Sequence, residues 1–354
     1  MGEVKIGAII PYTGIAATVG KEIERGIQYV LDTAEWQVAG RRIILVKEDE
    51  TDDPTVAVAK ARKLVEQDKV DVVLGPLLAH TGAAVGAYLG PLGIPHLPMG
   101  ASDSANSKDS FFVLGTGRGE AYPAAYFAYE DLGARTAAVL VSDYLYGHQN
   151  RDGFTSAFNE KGGKVVTSQA IPLGAADMAP FLEGLGKVDI VAAFLVNPSD
   201  MAFVRQYREM GLKMPVIFIN CLPQEEVLLA QMGDNVLGMY GVTMYSTLID
   251  TPENKKFVDE FTAKFGVIPG QATVYGGYWA TALYLEGVKA TGGDVAGAKV
   301  IDAMKNRQLS TPAGTLSISP GRIGIHDDFV FKAVKVGTKY GWQVVKKYPM
   351  VQPK

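Results

Sequence analysis

The four histidines, His80, His96, His148 and His326, are the first candidates for acid–base or metal chemistry, and their spacing supports neither. No two stand four residues apart as a helical zinc pair requires, and Cys221 is the only cysteine, so the sequence offers no thiolate cluster and no internal disulfide. His80 stands apart because it follows a predicted strand end. A nucleophile elbow needs Gly-x-Ser-x-Gly, but Gly100-Ala101-Ser102-Asp103-Ser104 has serine where the second glycine belongs. Gly115-Thr116-Gly117-Arg118-Gly119 imitates part of a dinucleotide loop, yet lacks the later glycine and the acidic residue about 20 positions on. A flexible crossover suits it better. Glu48-Asp49-Glu50 and Asp52-Asp53 read as a strand end and a helix cap rather than as catalytic carboxylate pairs. Catalysis has no anchor in these patterns, and neither has a cofactor or a metal.

Binding chemistry has better material. Hydroxyls and open backbone N–H groups at helix starts hold carboxylates well. Leu78-Ala79-His80-Thr81 and Gly100-Ala101-Ser102-Asp103-Ser104 each precede or border a predicted helix start. Tyr144 and Tyr146 occupy a further strand-end loop, where aromatic rings can close over a ligand. The small-residue loop from Tyr12 to Gly20 carries no phosphate-cradling lysine and no dinucleotide glycine pattern, which points to a small-molecule site without a nucleotide.

These loops need strands and helices to hold them, and the chain supplies an alternation of the two. An Ile- and Val-rich run ending at Pro11 has the length of a buried parallel strand, and Ile23, Ile27, Val30 and Leu31 follow at helical spacing. Arg42 to Val46 predicts a strand, and Asp53-Pro54 an N-cap and helix-starting proline. Val70 to Leu74, Ile94 to Leu97 and Phe111 to Leu114 read as further strands. A second series begins near Gly119, with strands predicted at 137–141, 165–171, 190–196 and 216–219 between helices. After Met244 come helices at 254–265, 272–290 and 296–305, then a β-rich tail containing Phe329 to Val336. The expectation is an α/β protein of two doubly wound parallel-sheet lobes, each of about five strands, with a ligand cleft between facing strand ends.

The 354 residues fit two domains of ordinary size. With 47% hydrophobic and 20% charged residues the chain is globular, and a net charge of -4 argues against nucleic acid. No apolar run approaches the roughly 20 residues that span a bilayer. Met1-Gly2 leads directly into the first strand, which fits either a cytoplasmic protein or one whose signal peptide is absent from this chain.

The chain resembles the leucine/isoleucine/valine-binding family of periplasmic proteins that serve ABC importers, over nearly its whole length. The markers are the opening I-G-A-I-I-P-Y-T-G, the helix start from Asp52 through Val58, the strand V-D-V-V-L-G-P-L, and Ile94-Pro95 leading to Gly100-Ala101-Ser102. Asp143 through Gly147 and Y-R-E-M-G-L from Tyr207 to Leu212 agree as well. The resemblance implies the type I periplasmic binding fold, two lobes joined by three crossovers that close on a ligand by hinge bending. It implies lobe 1 at residues 1–118 plus 247–328 and lobe 2 at 119–246 plus 329–354. A periplasmic location, a membrane permease as partner and a monomeric state follow from it.

Carried over residue by residue, the family's first carboxylate-binding serine falls at Ala79, which keeps only its backbone N–H. Its Ala-Ala-Thr loop falls at Gly100, Ala101 and Ser102, and its lid tyrosine at Tyr146. The second-lobe aromatic falls near Val196 or Asn197. The acid that meets an amino-acid ammonium falls near Asn220, where no carboxylate stands, and the paired cysteines fall near Asp52 or Asp53 and at Leu78. A buried ammonium left without an anion costs several kcal/mol. The ligand expected here therefore has a carboxylate but no α-amino group, and Tyr12, His80, Tyr146 and Tyr275 suit a planar aromatic acid. A branched-chain or other amino-acid ligand, the sensing domain of a regulator, and an enzyme on paired lobes remain the alternatives.

Overall fold

The computed structural model describes residues 2–14, 16–100, 110–219 and 226–349. The chain divides into two compact units, Met1–Thr116 with Asp250–His326 and Gly117–Ile249 with Asp327–Lys354, so it passes from one to the other three times.

The first unit opens with β1 (Val4–Ile10), α1 (Ala17–Thr33), β2 (Gln37–Val38), β3 (Arg41–Asp49), α2 (Pro54–Lys63), β4 (Val72–Leu74), α3 (Ala79–Leu89) and β5 (His96–Leu97). The sheet order is β2-β3-β1-β4-β5, parallel throughout apart from the β2–β3 hairpin. Ile23, Ile27, Val30 and Leu31 are the buried face of α1, as their spacing predicts. Asp53 caps α2 by accepting the Thr55 N–H at 2.7 Å, with Pro54 in the first turn. On one face of the sheet Ile9 and Val73 pack with Ala57 and Ala61 of α2, with Leu64 just after it and with Val85 and Leu89 of α3.

The second unit takes up the chain with α4 (Tyr122–Glu130), β6 (Thr136–Ser142), α5 (Leu145–Glu160), β7 (Lys164–Ile171), α6 (Ala179–Glu183), β8 (Ile190–Phe194), α7 (Ser199–Glu209), β9 (Val216–Phe218), α8 (Glu226–Met232) and β10 (Tyr240–Thr243). The chain returns to the first unit for α9 (Pro252–Phe265), a π-helical turn at Thr273–Trp279, α10 (Ala280–Ala290), α11 (Gly297–Met304) and a small antiparallel sheet of β11 (Gln308–Thr311), β12 (Gly314–Ile318) and β13 (Gly324–Ile325). It ends in the second unit with the hairpin β14 (Asp328–Val336) and β15 (Lys339–Tyr348). That unit's sheet runs β15-β14-β10-β9-β8-β6-β7. Five of its strands are parallel, and the hairpin adds two antiparallel ones to the expected five.

Phe111 to Leu114 is not a strand. Phe111 and Val113 are fully buried, but the segment makes only single bridges, Ser110 to His96 and Phe112 to Ile323. An apolar run reports burial, and burial here comes without a ladder. The helix expected over 272–290 is present without a break, but Thr273–Trp279 is wound as a π-helix before α10 continues it.

Candidate functional site

In the first unit β1 and β4 are parallel neighbours, with Ile6 beside Val72 and Ala8 beside Leu74. From β1 the chain goes to β3 on one side, then crosses to β4 on the other. The space outside the carboxyl ends at such a switch point is where open α/β sheets take ligands. The loops after β1, β3, β4 and β5 all emerge at this edge.

Asp49, the last residue of β3, holds the loop after β1. It accepts the N–H groups of Tyr12 at 2.9 Å and Thr13 at 3.3 Å and the Thr13 hydroxyl at 2.7 Å. Burial opposes ionisation of Asp49, but the bonds from Thr13, Tyr12 and Thr51 outweigh it and keep its pKa below the usual carboxylate range. Burial, reinforced by Glu24 and Asp49, pushes the Tyr12 phenol upward, so it stays neutral.

Glu50 does the same for the loop after β4. Its side chain is wholly buried and accepts the N–H of Leu77 at 2.7 Å, the N–H of Leu78 at 2.8 Å and the Thr81 hydroxyl at 2.5 Å. Burial pushes its pKa up to about 7 against those bonds, with Asp52 adding to the rise. The loop so held leads into α3, whose first-turn amides at Ala79 and His80 are left open by intrahelical bonding. His80 places Nε2 3.2 Å from the Asp52 carbonyl. Gly100 lies against this loop, because a Cβ there would stand 2.1 Å from the Leu77 carbonyl oxygen. Only glycine permits that approach, and it joins the loop after β5 to the loop after β4. Ala101 and Ser102 fall outside the described residues.

Tyr275 sits on the π-helical turn, which crosses α1 at very close range. Cβ atoms would stand 2.1 Å from the Thr273 carbonyl oxygen at Gly26 and 2.3 Å from the Ile23 carbonyl oxygen at Gly277.

The other histidines hold structure. His96 is buried between the Gly75 carbonyl at 2.8 Å and the Ser110 hydroxyl at 2.7 Å, and desolvation lowers its pKa to about 4. His326 bonds the Leu114 carbonyl at 2.8 Å, and His148 lies 2.9 Å from Asp143.

In the second unit β6 and β8 flank the corresponding switch point. Ser142 Oγ accepts the Val196 N–H at 3.0 Å and so ties together the two loops that follow these strands. Tyr146, in the first turn of α5, is half-buried, with its ring edge-to-face on Phe194 at 5.1 Å. Its hydroxyl donates to Glu120 Oε2 at 2.5 Å. Val196 packs on the unit's core, whereas Asn197 is exposed. Asn220 lies outside the described residues. The sequence reading overlooked several buried carboxylates, Glu50, Glu120 and Asp200 among them. Asp200, at the start of α7, is 4% exposed, and desolvation raises its pKa to about 6. The signal for Glu50 was available, since strand periodicity turns Glu48 and Glu50 to one face and Asp49 to the other. Glu48 meets Lys60 and Lys63 of α2, while Glu50 meets backbone.

Among the described residues no group of three His, Cys, Asp or Glu side chains could hold a metal ion, and no helix is long and apolar enough to cross a membrane. Two α/β units with loop sites at their switch points define the bilobal class of ligand-binding proteins. Residues 3–338 match the family described as periplasmic binding protein, and the chain belongs to that family, in its Leu/Ile/Val-binding branch. It is 30% identical over 329 residues to a Leu/Ile/Val-binding protein homologue of Brucella suis biovar 1, covering 90% of this chain and 84% of that one. Its fold matches an ABC transporter substrate-binding protein from Sphaerobacter thermophilus with a TM-score of 0.92 and 29% identity, over 99% of both chains. A solute-binding protein of an ABC transporter from Rhodopseudomonas palustris BisB5, solved with 3,4-dihydroxybenzoic acid, matches with a TM-score of 0.89 and 28% identity, over 99% of this chain and 98% of that one. The chain is thus a substrate-binding protein of the ABC-transporter type. Such proteins bind small ligands and work with a membrane permease.

Proposed function

We propose that this chain is the periplasmic receptor of an ABC importer for a small aromatic carboxylic acid of the benzoate class. One observation carries the reading: Glu50 holds the loop after β4 by two backbone N–H groups, and that loop, approached by Gly100 at Leu77, presents the open first-turn amides of α3 at Ala79 and His80. A ligand carboxylate is the natural acceptor for them. By residue type alone Ser102 brings a further hydroxyl, and the neutral phenol of Tyr12 supplies an apolar ring with a polar tip. Tyr275 of the first unit and Tyr146, Val196 and Asn197 of the second complete the contact set in this reading, with hinge closure bringing the second unit's residues to the ligand. By residue type, Asn220, where the family carries an acid, offers no charge to an α-ammonium. The Rhodopseudomonas protein solved with 3,4-dihydroxybenzoic acid supports the ligand class. The receptor works as a monomer, without cofactor and without turnover.

The Brucella relative, named for Leu/Ile/Val binding, favours an amino-acid ligand instead. Titration calorimetry with benzoate, 4-hydroxybenzoate, 3,4-dihydroxybenzoate and leucine separates the two. Heat of binding is expected from the aromatic acids. Tight leucine binding with no signal from the aromatic acids overturns the benzoate reading.

A further inference from the structure

The Glu50 cluster has an arrangement that simple scaffolding does not require. Thr81 Oγ1 lies 2.5 Å from Glu50 Oε1 and 2.8 Å from the Leu78 carbonyl oxygen, and its one proton can serve only one of them. With Glu50 ionised, Thr81 donates to Oε1. With a proton on Oε1, the acid donates to Thr81 Oγ1, and Thr81 turns its own proton to Leu78. The N–H of Leu77 stays on Oε2 and that of Leu78 stays on Oε1 in both forms. Neither state leaves a buried group unpaired, so the loop keeps its shape while its charge changes.

We propose that Glu50 is a positioning residue that couples capture of a carboxylate at the Leu78–His80 loop to the uptake of one proton from solvent. The proposal rests on the reading above that a carboxylate binds there. Glu50 and the ligand anion draw on the same helix end, and two anions at one helix N-terminus disfavour each other's charged form. The Glu50 carboxylate therefore accepts a proton as the ligand arrives. The charged and titratable groups on the neighbouring elements are Asp49 and Asp52 beside Glu50 in sequence, His80 on α3, His96 on β5, Tyr12 after β1, and Lys60 and Lys63 on α2. The two lysines are bound to Glu48, Asp49 is bound to the Tyr12 loop, and His96 and Tyr12 are neutral near pH 7. Asp52 adds a repulsive charge, and its effect has the same sign as the ligand's.

The test joins a ligand-free measurement to a ligand-bound one. Infrared titration of the ligand-free protein, as the difference between wild type and Glu50→Gln, should show a protonated carboxyl band disappearing near pH 7. Calorimetry with 4-hydroxybenzoate in phosphate and in Tris counts the protons exchanged between pH 6 and 8. Wild type should take up a proton, with affinity falling by up to about tenfold per pH unit above 7, while Glu50→Gln should take up none and bind independently of pH. Thr81→Val removes a donor to the anion and should move the uptake window to higher pH, while Thr81→Ser should leave it in place. Those two variants decide the matter if Glu50→Gln does not fold. Zero uptake by wild type, uptake retained in Glu50→Gln, or a ligand-free midpoint below pH 5 overturns the coupling alone. Failure of every acid to bind overturns the ligand class itself, and the coupling with it.

Discussion

Glu50 and His96, both buried in the first unit, have pKa values displaced from their ordinary ones in opposite senses. Burial raises Glu50 to about 7, so between pH 4.5 and 7 the folded chain holds a proton that the unfolded chain has released. Its contribution to stability is lost as pH rises through that window. Desolvation lowers His96 to about 4, so between pH 6.5 and 4 the unfolded chain takes a proton that the folded chain refuses. Its contribution is lost as pH falls. The two slopes oppose each other where the windows overlap, each on the order of 3 kcal/mol in total. Glu50→Gln should therefore unmask a stability that falls more steeply on acidification from pH 6.5 to 4.5, read from urea midpoints. A variant whose slope equals that of wild type contradicts the assignment. In the second unit, Tyr146→Phe removes the 2.5 Å donor to the buried Glu120 carboxylate. A loss of roughly 1–3 kcal/mol in denaturant unfolding is expected.

The crossing of α1 with the π-helical turn places Tyr275, and glycine makes it possible on both sides. An added Cβ at Gly277 meets the Ile23 carbonyl at 2.3 Å and the Gly26 Cα at 2.7 Å, and both are backbone atoms that cannot swing away. Gly277→Ala should cost about 1–3 kcal/mol or more and lower aromatic-acid affinity through displacement of Tyr275. Unchanged melting and binding would contradict this placement. Asp53 is the exposed cap of α2, and Asp53→Ala should cost about 1 kcal/mol by removing the acceptor for the Thr55 N–H, with binding unaffected. Chemical denaturation and calorimetry on the same sample check both halves of that expectation.

At the scale of the whole molecule the chain passes between its two units three times, so each unit is assembled from distant stretches. A ligand held by the folded protein and not by the unfolded chain stabilises it by mass action, about 2.7 kcal/mol at one hundred times Kd. Scanning calorimetry should show an unfolding temperature that climbs with 4-hydroxybenzoate concentration. No shift at saturating acid is the outcome incompatible with aromatic-acid binding.

The sequence by itself determined the elements whose signals are local. The apolar run before Pro11 is β1, the four-residue apolar spacing after it is α1, and Asp53-Pro54 starts α2, because periodicity and capping depend on near neighbours alone. The family, too, was legible in short motifs. Tertiary structure alone decided what those elements meet. Phe111 and Val113 are buried without a ladder, and the helix predicted from Ala272 winds as a π-helix over Thr273–Trp279, where it crosses α1 at close range. Glu48-Asp49-Glu50 looked like one acidic strand end. In the fold the three carboxylates part company, toward two lysines, toward the Tyr12 loop, and into a buried cluster of backbone N–H groups at the start of α3. Residue type fixes that each can carry charge, but desolvation and hydrogen-bond partners fix whether it does, and both come from residues far away in the chain.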